Sequence, residues 1–232
     1  MSSLSIASDW LAAVATLVAA FLGSFLAYWL ERNLEKRRAQ ETQIAECNRA
    51  LIGLIRQLNF LAMIDKEIIQ PHREHPAREL FMRPYWAVAE GIGAVDLNAL
   101  NFLVEFKAAK LLFDLHIEQE RFQTAVSAMK RRSQMYAEQL RPALLDATAA
   151  MGGVQAQTST IAAAMEGDRA AIERVKRAVG PHIWVQLKLA TDDAVDNVIE
   201  TRRTLREAFD RLRSELSYKY PAAHFVALAG AH

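Results

Sequence analysis

His72 and His75 stand three residues apart, with Glu74 between them and Glu79 beyond. On a helix that spacing would bring two imidazoles to one face, within reach of a single zinc-like cation. Pro71 and Pro76 bracket the pair, so regular helix is not expected there. Neither a third ligand nor the helical His-Glu-x-x-His pattern follows. Both are read as solvated loop histidines, and no metal is expected. Asp192, Asp193 and Asp196, with Glu200 one turn on, are a second acidic group that could hold a cation; on a helix face crowded with arginine they read as solvated. Gly91-Ile92-Gly93 lacks the Gly-Lys-Ser/Thr ending and the preceding strand of a phosphate loop. Cys47 is the single cysteine, which excludes an internal disulfide framework and suits a reducing compartment. It falls on an apolar stripe, where a thiol is a small buried side chain and not a nucleophile. No Gly-x-Ser-x-Gly elbow is present. With no nucleophile–base set to find, the expectation is a protein that is not an enzyme and takes no cofactor.

The elements that would position any site begin with Trp10 to Leu30, about 21 residues without a charge. At about 1.5 Å per residue a helix of that length covers roughly 31 Å, close to the hydrocarbon thickness of a bilayer. Asp9 and Glu31 bound it, and Thr16 and Ser24 can return their hydroxyls to carbonyls one turn back. The spacing predicts one transmembrane helix, 10–30, preceded by a short extracytoplasmic terminus, 1–9. A cleaved signal peptide fits poorly, since there is no basic leader and Tyr-Trp-Leu-Glu is no small-residue cleavage site. Arg32, Lys36, Arg37 and Arg38 follow directly, while no Lys or Arg precedes Asp9, so the C-terminal side is expected in the cytoplasm of an inner-membrane, single-pass protein. Trp10 at one end and Tyr28 and Trp29 at the other would sit at the two interfaces. Ala15, Ala19, Gly23 and Ala27 recur every fourth position, a row that would let two such helices approach and form a homo-oligomer.

Beyond the run, about 200 residues suffice for one domain with its own core. The formal net charge is +1, against a nucleic-acid binder relying on a broad basic face. Few Gly and Pro among abundant Ala, Leu, Glu and Arg make the class all-α, an elongated antiparallel cytoplasmic bundle behind the single transmembrane helix. Residues 31–43 read as a polar juxtamembrane stalk helix and 44–220 as the bundle. A coiled-coil-like heptad seam starts with Ile44, Leu51, Leu58 and Asp65 and with Cys47, Leu54, Leu61 and Ile68. Ile55, Ala62 and Ile69 widen it, which suits a helix packed on two neighbours. Asp65, on this seam, either faces a basic partner or is wet near the tip; the wet reading is preferred.

Pro71 should end the first helix, and 70–96 reads as an irregular tip with helical turns around Ala77–Met82 and Tyr85–Glu90. Asp96 would cap a second helix that returns toward the membrane, Pro142 would kink or break it, and Gly152-Gly153 would interrupt it again. The Ala-rich stretch 154–165 is weakly patterned. Asp168 would cap a helix to about Val179, Gly180-Pro181 would stop and restart the chain, and the last helix would run from His182 to about Tyr218. Residues 221–232 form a tail too short for a second span.

In general form this arrangement resembles small bacterial membrane-anchored helical proteins, a likeness that carries no residue across. The expected function is a non-enzymatic scaffold or interaction module at the cytoplasmic face, with the lipid bilayer and an unknown protein as partners. The tip residues His72, His75, Phe81, Tyr85 and Trp86 would supply recognition. A membrane-linked sensor signalling along the first helix, and a metal-dependent enzyme using the His72/His75 loop, are the alternatives.

Overall fold

The computed structural model describes residues 3–85, 92, 94–105, 108–150 and 154–228; the side chains of 3–15, 105 and 148–150 lie outside that description. The side chains of Trp10 and Ala15, and Trp86, Gly91, Gly93 and Gly152-Gly153 altogether, therefore lie outside the described residues. The described elements are all helical, in the order α1 (Ser3–Ile64), α2 (Arg78–Phe81), α3 (Phe102–Glu105), α4 (Ala109–Met135), α5 (Arg141–Ala150), α6 (Val154–Met165), α7 (Arg169–Val179) and α8 (Pro181–Lys219). The all-α class holds. The chain divides into two compact units, Met1–Glu46 and Cys47–His232.

In the first unit every described residue from 16 to 32 is exposed, including Leu17 at 73% and Phe21 at 70%. Ser24 donates its hydroxyl to Ala20 O at 2.9 Å, as the helical back-bond expected of a Ser in an apolar run. Among the described residues no helix is long and apolar enough to cross a membrane. Of the Trp10–Leu30 run, the described side chains cover 16–30, fewer than the roughly 20 a span requires.

The second unit is a helical bundle. Of the heptad seam, Cys47, Leu51, Leu54, Leu58, Leu61 and Ile69 are buried along the chain, whereas Ile44, Ile55, Ala62 and Ile68 are half-buried, and Ile64, off the seam, is buried as well. At α1's end the backbone widens into a π-helical turn, Asp65–Ile69, and the same happens after α4 at Tyr136–Leu140. Both turns precede a proline by two residues, Pro71 and Pro142. A proline ring clashes with the carbonyl four residues back and cannot donate to it; the wider i→i−5 turn removes that conflict. Gln70 N–H accordingly donates to Asp65 O, and Arg141 N–H to Tyr136 O. Pro142 thus sits inside the first turn of α5, and the chain continues helical there instead of breaking.

The expected antiparallel order is corrected in one respect. Gln57 Nε2 donates to Gln119 Oε1 at 2.9 Å, and the rings of Phe60 and Phe122 lie 6.0 Å apart. Residue numbers rise together, so α1 and α4 run parallel. α8 opposes both. It pairs Asp193 with Arg131 and Arg211 with Asp114, and further pairs Arg202 with Asp65 of the turn that ends α1. The return that a second helix was expected to make falls to the chain between α2 and α4, whose described residues touch the helices in turn. Tyr85 N donates to Ser133 Oγ at 2.7 Å, Val95 N to Gln119 Oε1 at 3.1 Å, and Lys219 Nζ sits 4.6 Å over the Phe102 ring. The described residues of 70–96, namely 70–85, 92 and 94–96, are therefore no free tip. Ala77, Leu80, Met82, Val95 and Leu97 are buried, and a Cβ placed on Gly53 of α1 would come 2.9 Å from Val95 Cγ2. Apolar side chains at these intervals anchor the segment against the helices, which an irregular composition does not reveal.

At one end of this unit α5, α6 and α7 complete a second core, with Leu140, Ile172, Val175, Trp184 and Leu187 packed on Ala77 and Leu80. Asp168 Oδ1 accepts from Ala170 N at 2.8 Å and from Ala171 N at 3.4 Å, the expected cap of α7. Gly180, at φ 97°, breaks α7 where no side chain is tolerated well, and Pro181 opens α8. The weakly patterned stretch 154–165 is an ordered helix, α6, because Ala164 buries in this second core with Ala163 packed against it.

Candidate functional site: the segment around Arg132

Arg132 is the largest fully buried side chain of the bundle, at 0% exposure. It lies on the inward face of α4, three residues past Met129 and four before Tyr136. Its Nη1 donates to Arg83 O at 2.9 Å, and its Nη2 to Glu79 O at 3.1 Å and to Met82 O. Nε donates to Thr191 Oγ1 at 3.3 Å, and the guanidinium carbon stands 5.5 Å from the Tyr136 ring centroid. One planar donor fork thus satisfies carbonyls at and beyond the C-terminal end of α2, a helix too short to bond them itself. Burial draws the Arg132 pKa down to about 10, with Tyr136 and Glu79 opposing the shift, so the group stays cationic near neutrality.

Glu79, also buried, stands beside this cation. Burial raises its carboxyl above the ordinary glutamate range, although its own backbone N–H and the Lys188 charge pull the other way. On the rim, Asp192 accepts from Arg78 Nη2 at 2.9 Å and from Lys188 Nζ at 2.6 Å. Burial pushes the Asp192 carboxyl up, but the hydrogen bonds and charges of Lys188 and Arg78 outweigh it and hold the group below the usual range. The neighbouring Asp193 pairs with Arg131 at 2.6 Å and accepts from Asn197. These carboxylates face arginine and lysine, which explains the acidic cluster without a cation.

The two signs separate in a pH experiment. A folded state that holds the Glu79 proton to higher pH than the unfolded chain gains stability that is complete below the ordinary value of 4.5. That gain is lost as pH rises through the raised folded value. Asp192 contributes in the opposite sense, above its ordinary range, and loses its contribution on acidification. Glu79→Gln keeps a neutral group in place, so the variant should lose less stability than the parent chain between about pH 4.5 and neutrality. Urea midpoints taken across that range provide the measurement; parallel curves for the two proteins would refute the assignment.

The candidate tip residues are brought together in part. His75 Nδ1 accepts from Ala77 N at 3.0 Å, its Nε2 lies 3.1 Å from Met165 O, and its ring meets Phe81 edge-on at 4.9 Å. Both ring nitrogens thereby have partners within the protein. The His75 ring is a strut between α6 and the 70–77 turn rather than a freely solvated group. His72 is half-buried, and burial, then the charges of His75, Arg83 and Arg132, lowers its pKa, so it is neutral near pH 7. Among the described residues no group of three or more His, Cys, Asp or Glu is placed to hold a metal ion. Tyr85 packs edge-on to Phe60 at 5.8 Å. Tyr28, Trp29, Arg32, Lys36, Arg37 and Arg38 are exposed, as are Ala19, Gly23 and Ala27.

Sequence reasoning missed Arg132, yet a signal was present: Phe122, Ala125, Met129 and Arg132 continue one helical stripe. Asp65 is likewise corrected from a wet position. Its carboxylate is 8% exposed and accepts from Arg202 Nη1 and, at 3.3 Å, from Gln70 Nε2. Elsewhere a cleft of about 330 Å³ lies between α4 and α8. Glu118 there accepts from Arg121 at 3.0 Å and from Thr204 Oγ1, so its carboxylate serves the helix pairing. What the arrangement does chemically is hold a loop in one conformation. Comparison with protein families, with curated proteins and with solved structures finds no match for this chain.

Proposed function

We propose that this is a non-enzymatic, single-pass membrane-anchored protein whose helical bundle presents a fixed interaction surface at the cytoplasmic face. One observation carries the reading: a helix exposes Leu17, Val18, Phe21, Leu22, Phe25, Leu26 and Trp29 together, with Ala19, Ala20, Gly23, Ser24 and Ala27 on its other side until Leu30. Exposed apolar surface of this extent is stable only when lipid or protein covers it, and the uncharged run of 10–30 has the length that lipid covers. The basic residues after Leu30 orient it with its N-terminus outside. Residues 31–43 then serve as a stalk, and the 70–85 segment, framed by Arg132, offers the edges of His75 and Phe81 to a protein partner.

Alkaline carbonate extraction of membranes carrying the full chain is the direct test. The protein should stay in the membrane pellet, and replacing Leu17, Phe21 and Phe25 by Gln should release it. A parent chain recovered in the soluble fraction without detergent would overturn the anchor. For the recognition surface, a photocrosslinker at Phe81 should give a discrete adduct that one at the exposed Glu120 does not.

A further inference from the structure

Resting on that membrane reading, we infer that Arg32, Lys36, Arg37 and Arg38 form a docking surface for anionic phospholipid headgroups, so that the anchor selects lipid charge as well as hydrocarbon. All four side chains are exposed, and they follow Tyr28, Trp29 and Leu30, also exposed, without a break in the helix. Over residues 31–38 four basic side chains stand against two acidic ones, Glu31 and Glu35. The spacing sorts them. Glu31, Glu35 and Arg38 share one stripe at i, i+4 and i+7, where Arg38 answers the carboxylates. Arg32 and Lys36 lie one turn apart on the neighbouring stripe; Glu35 stands three residues from Arg32, and no acidic residue lies three or four residues from Lys36.

From Arg32 to Arg38 the helix rises about 9 Å, comparable to the roughly 5–7 Å of headgroup region on one side of a bilayer. Long basic side chains reach along the helix to the polar layer while their stems stay against apolar surface. A guanidinium offers two parallel donors to a phosphate, so three arginines and one lysine favour phosphodiesters over other anions at this depth. The aromatic pair Tyr28–Trp29 fixes the level at which these donors sit.

Trp29 lies one turn from this cluster and can report on it. In liposomes mixing phosphatidylcholine with phosphatidylglycerol, either lipid can be supplied in brominated form, which quenches tryptophan at short range. Full-length W10F leaves Trp29 as the tryptophan of the apolar run. Brominated phosphatidylglycerol should quench it as though enriched about threefold or more over its bulk fraction, given about fivefold per basic residue near a charged surface less the acidic offset. The enrichment should fall to near unity in R32Q/K36Q/R37Q/R38Q and shrink in high salt. Equal quenching by the two brominated lipids in the parent protein would overturn the headgroup inference while leaving the anchor intact. Quenching by neither would overturn the anchor itself.

Discussion

Replacing Arg132 with Met should lower the unfolding free energy of the chain by about 3–5 kcal/mol, the largest single effect expected outside the leucine core. The methionine fills the volume but donates nothing. The carbonyls of Glu79 and Met82 and the Thr191 hydroxyl would lose their donor in a buried place, and the Arg83 carbonyl in a partly buried one. Each unsatisfied buried acceptor costs about 1–3 kcal/mol, so even partial rehydration leaves a large deficit. Glu79 would also lose the neighbouring cation. Arg132→Lys should recover less than half, since one ammonium cannot reproduce a planar fork reaching carbonyls on separate residues. Denaturant unfolding reads the stability, and limited proteolysis reads the segment: new cleavage should appear between residues 77 and 85 before the bundle unfolds. A Met variant within about 1 kcal/mol of the parent, with no added cleavage, would show that Arg132 is not what fixes the loop.

The second large effect is an asymmetry. Arg202→Ala strands the Asp65 carboxylate, 8% exposed, with only the 3.3 Å amide of Gln70 as partner, and should cost about 2–4 kcal/mol. Asp65→Ala leaves Arg202, whose side chain is 42% exposed, free to return to water, and should cost about 1 kcal/mol. The double variant should therefore be more stable than Arg202→Ala alone. If the two single variants cost the same, or the order reverses, the pair is an exposed one and the burial argument is wrong.

This second prediction shows how far the residues alone lead. Asp65 falls on the heptad seam, so its inward direction was legible, and a basic partner was one of two readings. Its burial was not legible, because the partner lies 137 residues away on α8. The same holds for Arg132. Helical register puts it on the buried stripe, but which carbonyls would receive its donors depends on a loop about fifty residues earlier in the chain. The end of α1 near Pro71, the Asp168 cap and the Gly180-Pro181 restart were all legible, since each is decided within one or two turns by φ restriction or by a missing donor.

The direction of α4 was the clearest failure. A parity argument assumes that each long helix reverses the last, and it holds only when connections are short. Here some 27 residues separate α2 from α4, and Tyr85 against Ser133 followed by Val95 against Gln119 mark a return along the bundle that lets α4 run parallel to α1.

What this protein's residues determined by themselves was local: an uncharged run with a basic flank, helices with their stops and caps, and the stripe each helix turns inward. Those follow from backbone sterics, missing donors and a 3.6-residue period, all of short range. Tertiary structure alone decided the parallel pairing of α1 and α4, the seating of residues 70–85 and of Val95, and the partners of Arg132 and Asp65. The reason is that desolvating a charge or a carbonyl is tolerable only where the complementary group arrives, and that arrival is a property of the whole packed bundle.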